Sequence, residues 1–551
     1  MRGISLAFLL ASISSLSGQG MTAADVRTVL AQAVQESLVV SPERVIAVVD
    51  REGFVLAVWD VNGGPPPAAV DVARAVSTAG AAAFLSSDQH AFTTRTAGFI
   101  IQKHFPPAVA NRPNGPLVGV NFSSLAFSDT NKYKAPEADN TFPPPPVPGI
   151  DDPGSATPAD AFRSVPFTSL ALSGNPGGVP LFKSGRLIGG VGVVGYSDPV
   201  VSGFDTSFQP SVNERIALGG QAGYRPNPLF AGSNVFIDGI RLAYLVGTGS
   251  NATVGDPAGY LANPANGQAV VLADIDGIAG SPDDNPVDYN PKASPAPVAY
   301  PNPFGLVAAD GTPGELRSAI RGDTGGPISG APRLTAAEVE SILRLAAERS
   351  VITRAGIRLP RGQLARVWIS VVNNPAVAGV EPIVLGTYRT PDATVFSWDV
   401  AVQKARTAVF FSRGLERGAP RAFSCRSVGF LAQEMYPPGI AGTPPGPLQP
   451  LQALFSLEHF GGALGLQVPL EPINLNVPNG ITIFPGGFPL FRNGVLIGAI
   501  GVSGDGIEQD DIIAASGARD FLPPAGSRAD DMVYQRARIP YARFPRAASS
   551  F

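Results

Sequence analysis

The sequence has a single cysteine, Cys425, and only three histidines, His90, His104 and His459, among its 551 residues. One cysteine excludes an intramolecular disulfide and any zinc or iron–sulfur site built from several cysteines. Charged residues make up only 15% of the chain, and the formal net charge is −4. This weak acidic balance gives no electrostatic reason to expect nucleic acid or an anionic membrane surface as a partner.

Long apolar runs are also missing, because no segment reaches the ~18 apolar residues that indicate a transmembrane helix. The N-terminus has Arg2, a short apolar run over residues 4–16 and then small residues, which is the layout of a secretory signal. We therefore expect residues 1–20 to be a signal peptide. The mature protein would be exported to the periplasm or the medium, with no integral membrane segment left. The alternative is a disordered leader, with Met21 as the start.

Glycine and proline, in contrast, are abundant, with 63 and 55 residues, and this frequency predicts many turns and long loops. Hydrophobic residues make up 44% of the chain, which is ample material for buried cores. A chain of this length is long for one domain and predicts more than one folded unit.

One stretch of the sequence occurs twice. Residues 93–107 read TTRTAGFIIQKHFPP, and residues 424–438 read SCRSVGFLAQEMYPP. Both have Arg, a hydroxyl residue, Gly-Phe, then Gln, an aromatic residue and Pro-Pro at identical spacing. We predict a helix in each copy, with the glycine permitting close packing, the phenylalanine facing a core and Pro-Pro ending the helix.

Further paired markers keep the same order along the chain. Thr22 and Thr335 each begin a TAA-(Asp/Glu) helix start with the pattern of a capping box. Strand pairs follow, then the hairpins GGVPLFKSGRLIG and GGFPLFRNGVLIG, then a short helix. These markers predict two tandem domains over residues 21–249 and 333–551. An insertion near 130–174 interrupts the first, and a Gly/Pro/Asp-rich linker over 250–332 separates them.

These motifs resemble the GlcG/HbpS-like haem-binding family, also known as DUF336, which is related to the carboxy-terminal module of PduO-type proteins. The resemblance covers nearly all of the first copy outside its insertion. In the second copy it rests mainly on SCRSVGF, MYPPGI and GGFPLFRNGVLIGAIGVSG. It implies an α/β (α+β) fold of two tandem profilin-like domains, each a central antiparallel sheet flanked by helices. It also implies haem as cofactor and homo-oligomers as partners. Typical members are single domains of roughly 130–150 residues, the ordinary size of one domain, so this chain departs from the family by joining two.

The candidate cofactor-binding residues come in three groups, and each group has a structural alternative. An arginine at a helix start can clamp a haem propionate or form a structural ion pair; as a clamp, its loss should weaken binding with little change in fold. Iron takes His, Met or Tyr as axial ligand, but these side chains also serve as caps and packing residues. Paired glycines let a ligand approach or only form a tight turn, and the resemblance adds a hydroxyl residue before each pair. The candidates are Arg95, Arg426, His104 (also the iron ligand), Met435, Tyr436, Gly177, Gly178, Gly486, Gly487, Ser173 and Thr482.

Three functions remain open from the sequence. The first is a secreted protein that binds haem or a related tetrapyrrole. The second is a structural or interaction protein that keeps the fold without a ligand, and the third is an enzyme acting on haem or a small organic acid. No G-x-S-x-G or His-Glu-x-x-His motif occurs, so we assign no catalytic residues, and we expect Cys425 to be a buried packing residue.

Overall fold

The computed structural model describes two large parts of the chain and the segment between them. The described residues are 20–62, 67–102, 104–107, 109, 115–117, 129–132, 172–196, 210–237, 239–245, 253–272, 287–295, 299–356, 363–413, 421–438, 440, 442–451, 474–504 and 506–544. Residues 1–19 of the expected signal peptide, most of the expected insertion and His459 lie outside these residues.

The first half contains a sheet with helices on its faces. Its helices are α1 (Ala23–Val40), α2 (Ala69–Phe84), α3 (Thr94–Ile100), α4 (Asp129–Lys132) and α5 (Val212–Gly220). Its strands are β1 (Arg44–Asp50), β2 (Val55–Asp60), β3 (Gly178–Lys183), β4 (Arg186–Gly195), β5 (Phe236–Ile237) and β6 (Ile240–Arg241).

The segment between the halves and the second half supply the remaining elements. The segment forms α6 (Pro257–Leu261), β7 (Gln268–Ala269), β8 (Val271–Leu272), β9 (Val287–Asp288) and β10 (Glu315–Ser318). The helices of the second half are α7 (Ala336–Ser350), α8 (Phe396–Ser412), α9 (Cys425–Leu431) and α10 (Ile507–Ala518). Its strands are β11 (Trp368–Asn373), β12 (Val384–Arg389), β13 (Gly487–Arg492), β14 (Val495–Ser503), β15 (Val533–Tyr534) and β16 (Ala537–Arg538).

The two halves have the same antiparallel sheet order. The first sheet runs β3-β4-β1-β2-β7, and the second runs β13-β14-β11-β12-β10. This is the predicted fold class, two profilin-like α+β units with a five-stranded antiparallel sheet in each. The hairpin turns are also as predicted: Ser184 and Gly185, like Asn493 and Gly494, have positive φ values of 52°, 78°, 51° and 80°, as type I′ turns require.

Both predicted capping boxes are confirmed. In α1 the amide of Asp25 donates to Thr22 Oγ1 at 3.1 Å, and the Thr22 amide donates to Asp25 Oδ2 at 2.9 Å. In α7 the same two bonds join Thr335 and Glu338 at 3.3 and 2.9 Å. Each box satisfies backbone donors that have no partner inside the helix.

The segment predicted as a linker does more than connect the halves. Its β7 pairs with the outer edge of β2, where Ala269 lies opposite Trp59. Its β10 pairs with the equivalent edge of β12, where Leu316 lies opposite Tyr388. One segment therefore covers the same edge of both sheets and removes exposed strands that would invite pairing with other chains.

Apolar side chains join the halves. Val395, Phe396 and Val400, around the start of α8, belong to the same buried cluster as Val72 and Val76 of α2. Burial of these side chains across the boundary stabilises the arrangement of the two sheets through the hydrophobic effect. In the described part of the chain, every helix is too short or too polar to cross a lipid bilayer.

Candidate functional site

The repeated stretch forms α3 in the first half and α9 in the second. Thr93 caps α3 by accepting the Thr96 amide at 3.3 Å, and Ser424 caps α9 by accepting the Ser427 amide at 3.2 Å. Arg95 is therefore the second helical residue of α3, and Arg426 holds the same position in α9. Both arginines lie at helix starts, as predicted.

Each arginine is paired with a carboxylate of its own half. Arg95 donates from Nε and Nη2 to the two oxygens of Glu214 on α5, both at 2.7 Å, and Glu214 is fully buried. Arg426 donates from Nε to Asp511 Oδ2 on α10 at 2.5 Å. Burial raises the pKa of Asp511 above its usual range, and the Arg426 guanidinium opposes that rise. Both arginines that were candidates for binding a haem propionate are thus already paired with a carboxylate of the protein.

The glycines of the repeat allow close packing in both halves. A Cβ atom on Gly98 would overlap the carbonyl oxygen of Gly174, and one on Gly429 would overlap that of Ile483. Gly174 and Ile483 directly follow the candidate residues Ser173 and Thr482. The glycines therefore bring each helix against the loop that carries a candidate site residue.

We expect Gly429→Ala to lower the free energy of unfolding by about 1–3 kcal/mol, because the added methyl group must push the loop backbone away. Gly326→Ala is the matched control, since a Cβ atom there meets open space, and we expect its effect to stay within about 0.5 kcal/mol. Urea unfolding of both variants measures the difference. Equal stability of the two variants would contradict the close-packing role.

The glutamine of the repeat has a role that sequence reasoning missed. Gln102 Nε2 donates to the Gly98 carbonyl at 2.6 Å, and Gln433 Nε2 donates to that of Gly429 at 2.7 Å. The Ile100 carbonyl accepts instead from the Leu117 amide at 3.1 Å. The Gly98 and Ile100 carbonyls thus accept from a side chain and from a distant amide rather than from further helical amides, so α3 ends well before Pro-Pro. The available signal was a glutamine four residues after the glycine in both copies.

This helix end corrects two expectations. Pro-Pro does not end either helix, since α3 stops at Ile100 and α9 stops at Leu431. His104 therefore lies in the bend after α3 rather than at the helix end, and Met435 lies in the corresponding bend after α9; both are half-buried. Each side chain can meet a ligand only from this bend.

Aromatic pairs anchor the same bends. Phe105 packs edge-to-face against Phe99 at 5.6 Å between ring centroids, and Tyr436 packs against Phe430 in the same way at 5.3 Å. The Tyr436 hydroxyl donates to the Tyr534 carbonyl at 3.2 Å, and burial raises the pKa of Tyr436. A buried phenol that already has a hydrogen-bond partner is poorly placed to ligate iron.

The paired glycines are required by the protein's own backbone. Gly177 and Gly486 have φ values of 141° and 109°, which favour glycine. A Cβ atom on Gly178 would overlap the Thr78 carbonyl, and one on Gly487 would lie 2.7 Å from the Lys404 carbonyl. The tight-turn interpretation thus accounts for both pairs without a ligand.

Cys425 and Thr94 occupy equivalent positions beneath these turns. The Thr94 hydroxyl accepts the Gly178 amide at 2.9 Å. Cys425 is fully buried, as predicted, and its Sγ donates to the Lys404 carbonyl at 3.2 Å. Burial raises the pKa of the Cys425 thiol above its ordinary value, so the thiolate form that acts as nucleophile or ligand is disfavoured.

The two candidate loops differ in exposure. Ser173 is half-buried, and its Oγ accepts the Asn175 amide at 3.1 Å. Thr482 is only 3% exposed, and its hydroxyl donates to Gln403 Oε1 at 2.6 Å. Its backbone amide donates to Thr407 Oγ1 at 2.9 Å. The loop of the first half is therefore the more accessible of the two.

A small cavity lies beside the loop of the second half. It has a volume of about 30 Å³ and is lined by Pro116, Leu117, Phe396, Val400, Lys404, Phe484, Pro485, Ser503, Gly504, Gly506, Ile507 and Asp510. Pockets for drug-sized ligands occupy about 300–1,000 Å³. This cavity is therefore too small for a haem macrocycle. Among the residues that the structure describes, no group of three or more His, Cys, Asp or Glu side chains is arranged to hold a metal ion.

Comparison with known proteins finds a family match in the second half. Residues 376–519 match the family model described as "Haem degrading protein HbpS-like". This match supports the family resemblance for that part of the chain. A comparison with curated proteins finds no match.

Three solved structures are similar to parts of this chain. A PduOC–haem complex is 24% identical, with 34% of this chain and 94% of that chain covered and a TM-score of 0.21. The Klebsiella pneumoniae protein ORFY, described as DUF336, is 20% identical, with 36% and 95% covered and a TM-score of 0.21. A double mutant of Streptomyces reticuli HbpS is 21% identical, with 37% and 98% covered and a TM-score of 0.21.

Proposed function

We propose that this chain is an exported haem- or tetrapyrrole-binding protein with two GlcG/HbpS-like units, over residues 21–249 and 333–551. The match of residues 376–519 to the HbpS-like family model carries the proposal. The matched residues include β12, α8, α9, β13 and β14, and the first half has elements in the same order. Export rests on the charge and apolar run of the leader, and homo-oligomer formation rests on the family resemblance.

The first half is the proposed binding unit. His104 and Ser173 are half-buried there, and Ile101, at the end of α3, packs against Gly174. These contacts bring the bend of His104 and the loop of Ser173 to the same end of α3. His104 would ligate the iron of bound haem, and the loop from Ser173 to Gly178 would contact the macrocycle. Arg95 is left out of this contact set because it already pairs with Glu214.

Substitution of His104 tests whether this residue is the ligand of the haem iron. Full-length protein titrated with hemin should show a Soret band, and His104→Gln should shift that band because one imidazole ligand is lost. Met435→Leu is the matched control, since it changes the equivalent position in the half whose loop is covered, and it should leave the spectrum as in the unsubstituted protein. An unchanged spectrum in His104→Gln would remove His104 as the ligand.

A second candidate is a structural or interaction protein that keeps the fold without a ligand. The observation in its favour is that Arg95 and Arg426 both hold buried carboxylates of their own half. The same titration decides between the two functions. A protein that gives no Soret band, while remaining folded by circular dichroism, would establish the ligand-free alternative.

A further inference from the structure

A buried cluster of polar side chains joins α4 of the first half to α8 of the second. Asp129 lies on α4, Asp399 and Arg406 lie on α8, and Asn479 lies in the loop that leads to Thr482. The exposed fractions of these four residues are 0%, 4%, 1% and 0%, in that order. This cluster has no part in the proposed haem contacts, so its buried charges need a separate explanation.

The hydrogen bonds of the cluster cross between the halves. The Asp129 amide donates to Asp399 Oδ1 at 2.9 Å, and Arg406 holds the Asp129 carboxylate through both of its terminal nitrogens, with Nη2 to Oδ1 at 3.0 Å. Asn479 Nδ2 donates to Asp399 Oδ1 at 3.0 Å and lies 3.4 Å from Asp129 Oδ2. A bidentate guanidinium–carboxylate pair is among the strongest contacts that side chains form.

Among the described side chains of the cluster, the guanidinium of Arg406 contacts more than one carboxylate. Arg406 is shared by Asp129 and by Glu381, which it also contacts through Nη2. Asp399 faces the same Asp129 carboxylate, so its own ionisation adds a negative charge to a buried site. Burial, followed by the charge of Asp129, raises the pKa of Asp399 to about 7, and Arg406 and Asn479 only partly oppose this.

We propose that Asp129, Asp399 and Arg406 form a latch that fastens α4 onto α8 most firmly at acidic pH and loosens as the pH rises. Docking brings the two carboxylates together, so it favours a protonated Asp399. In the undocked state Asp399 faces water and returns to an ordinary pKa near 3.9. The docked form therefore holds the extra proton between about pH 4 and pH 7. Docking is strongest below that window, weakens by up to tenfold per pH unit within it, and levels off above it.

The latch lies beside the candidate loop of the second half. Asn479 is three residues before Thr482, and Pro116 and Leu117 of the first half line the small cavity together with Phe484. Fastening of α4 onto α8 would thus accompany coverage of the second loop by residues of the first half. This consequence rests on the proposed function, whereas the latch itself does not.

Hydrogen exchange measured by mass spectrometry on the full-length protein, without haem, tests the latch. Protection of a peptide containing residues 129–132, corrected for the intrinsic pH dependence of exchange, should fall by tenfold or more from pH 4.5 to pH 7. It should then stay level to pH 8.5. Peptides from α1 report whether the whole protein opens over the same range. Constant protection of 129–132 across the series would overturn the latch.

Two substitutions sharpen the result. The Asp399→Asn side chain keeps an oxygen that accepts the Asp129 amide but cannot titrate. In this variant the protection of residues 129–132 should therefore not depend on pH. Asp129→Asn loses the carboxylate that Arg406 holds, so the protection of residues 129–132 should fall at every pH. Asp323→Asn, in a different ion pair with Arg333, is the matched control and should keep the pH dependence. An Asp399→Asn protein with the unsubstituted pH profile would refute the proposal, and if that variant does not fold, the pH series on the unsubstituted protein decides.

Discussion

Replacing Arg95 by leucine is expected to lower the free energy of unfolding by about 3–5 kcal/mol, the usual loss when one partner of a buried ion pair is removed. Glu214 is fully buried, and Arg95 contacts both of its oxygens. Without the guanidinium, a buried carboxylate is left with too few donors. Urea unfolding followed by circular dichroism measures the change.

Two further variants separate this charge effect from lost packing. Arg95→Leu/Glu214→Leu removes both charges, so it should be more stable than Arg95→Leu alone. Arg344→Leu removes an exposed partner of Glu348, with side-chain exposure of 46% and 54%, and should change stability by less than about 0.5 kcal/mol. If Arg95→Leu were as mild as Arg344→Leu, the pair would have no structural role.

This result bears on any haem experiment that uses Arg95. The sequence led us to expect weaker binding with little change in fold when this arginine is lost. The pairing with Glu214 predicts a change in stability instead. Loss of haem binding in an Arg95 variant would therefore reflect partial unfolding unless the variant's stability is measured beside it.

Replacing Asp392 by asparagine is the second large expected effect, also about 3–5 kcal/mol, because two half-buried arginines lose the fully buried carboxylate that they share. Asp392 accepts from Arg51 at 2.5 Å, from Arg366 at 2.7 Å and from the Asp88 amide at 3.0 Å. Its φ of 61° is left-handed, and asparagine tolerates that conformation. The substitution therefore tests the charge and not the backbone.

The location of Asp392 adds a second readout. Arg51 and Asp88 belong to the first half and Asp392 to the second, so the variant should also weaken the coupling between halves. Calorimetry should then resolve two unfolding transitions. Asp310→Asn is the control: Asp310 pairs with Arg186 but is 38% exposed, and we expect a loss below about 1 kcal/mol. A single transition and full stability in Asp392→Asn would contradict this role.

The sequence by itself determined the local elements of both halves. The TAA-(Asp/Glu) starts predicted two capping boxes, and the polar turns with glycine predicted two hairpins, because each signal acts over a few neighbouring residues. The order of these signals predicted two equivalent sheets before any contact was known. The position of Arg95 and Arg426 at helix starts followed from the same local reasoning.

The tertiary structure alone decided what those elements contact. Arg95 and Glu214 are separated by 119 residues, and Arg51 and Asp392 by 341, so no periodicity or spacing could pair them. The edge strands β7 and β10 are two and four residues long, too short to give an alternating pattern. The exposure of the two candidate loops was also decided by the tertiary structure. The loop of Thr482 is covered and that of Ser173 is accessible because of chain segments that meet only when the two sheets pack together.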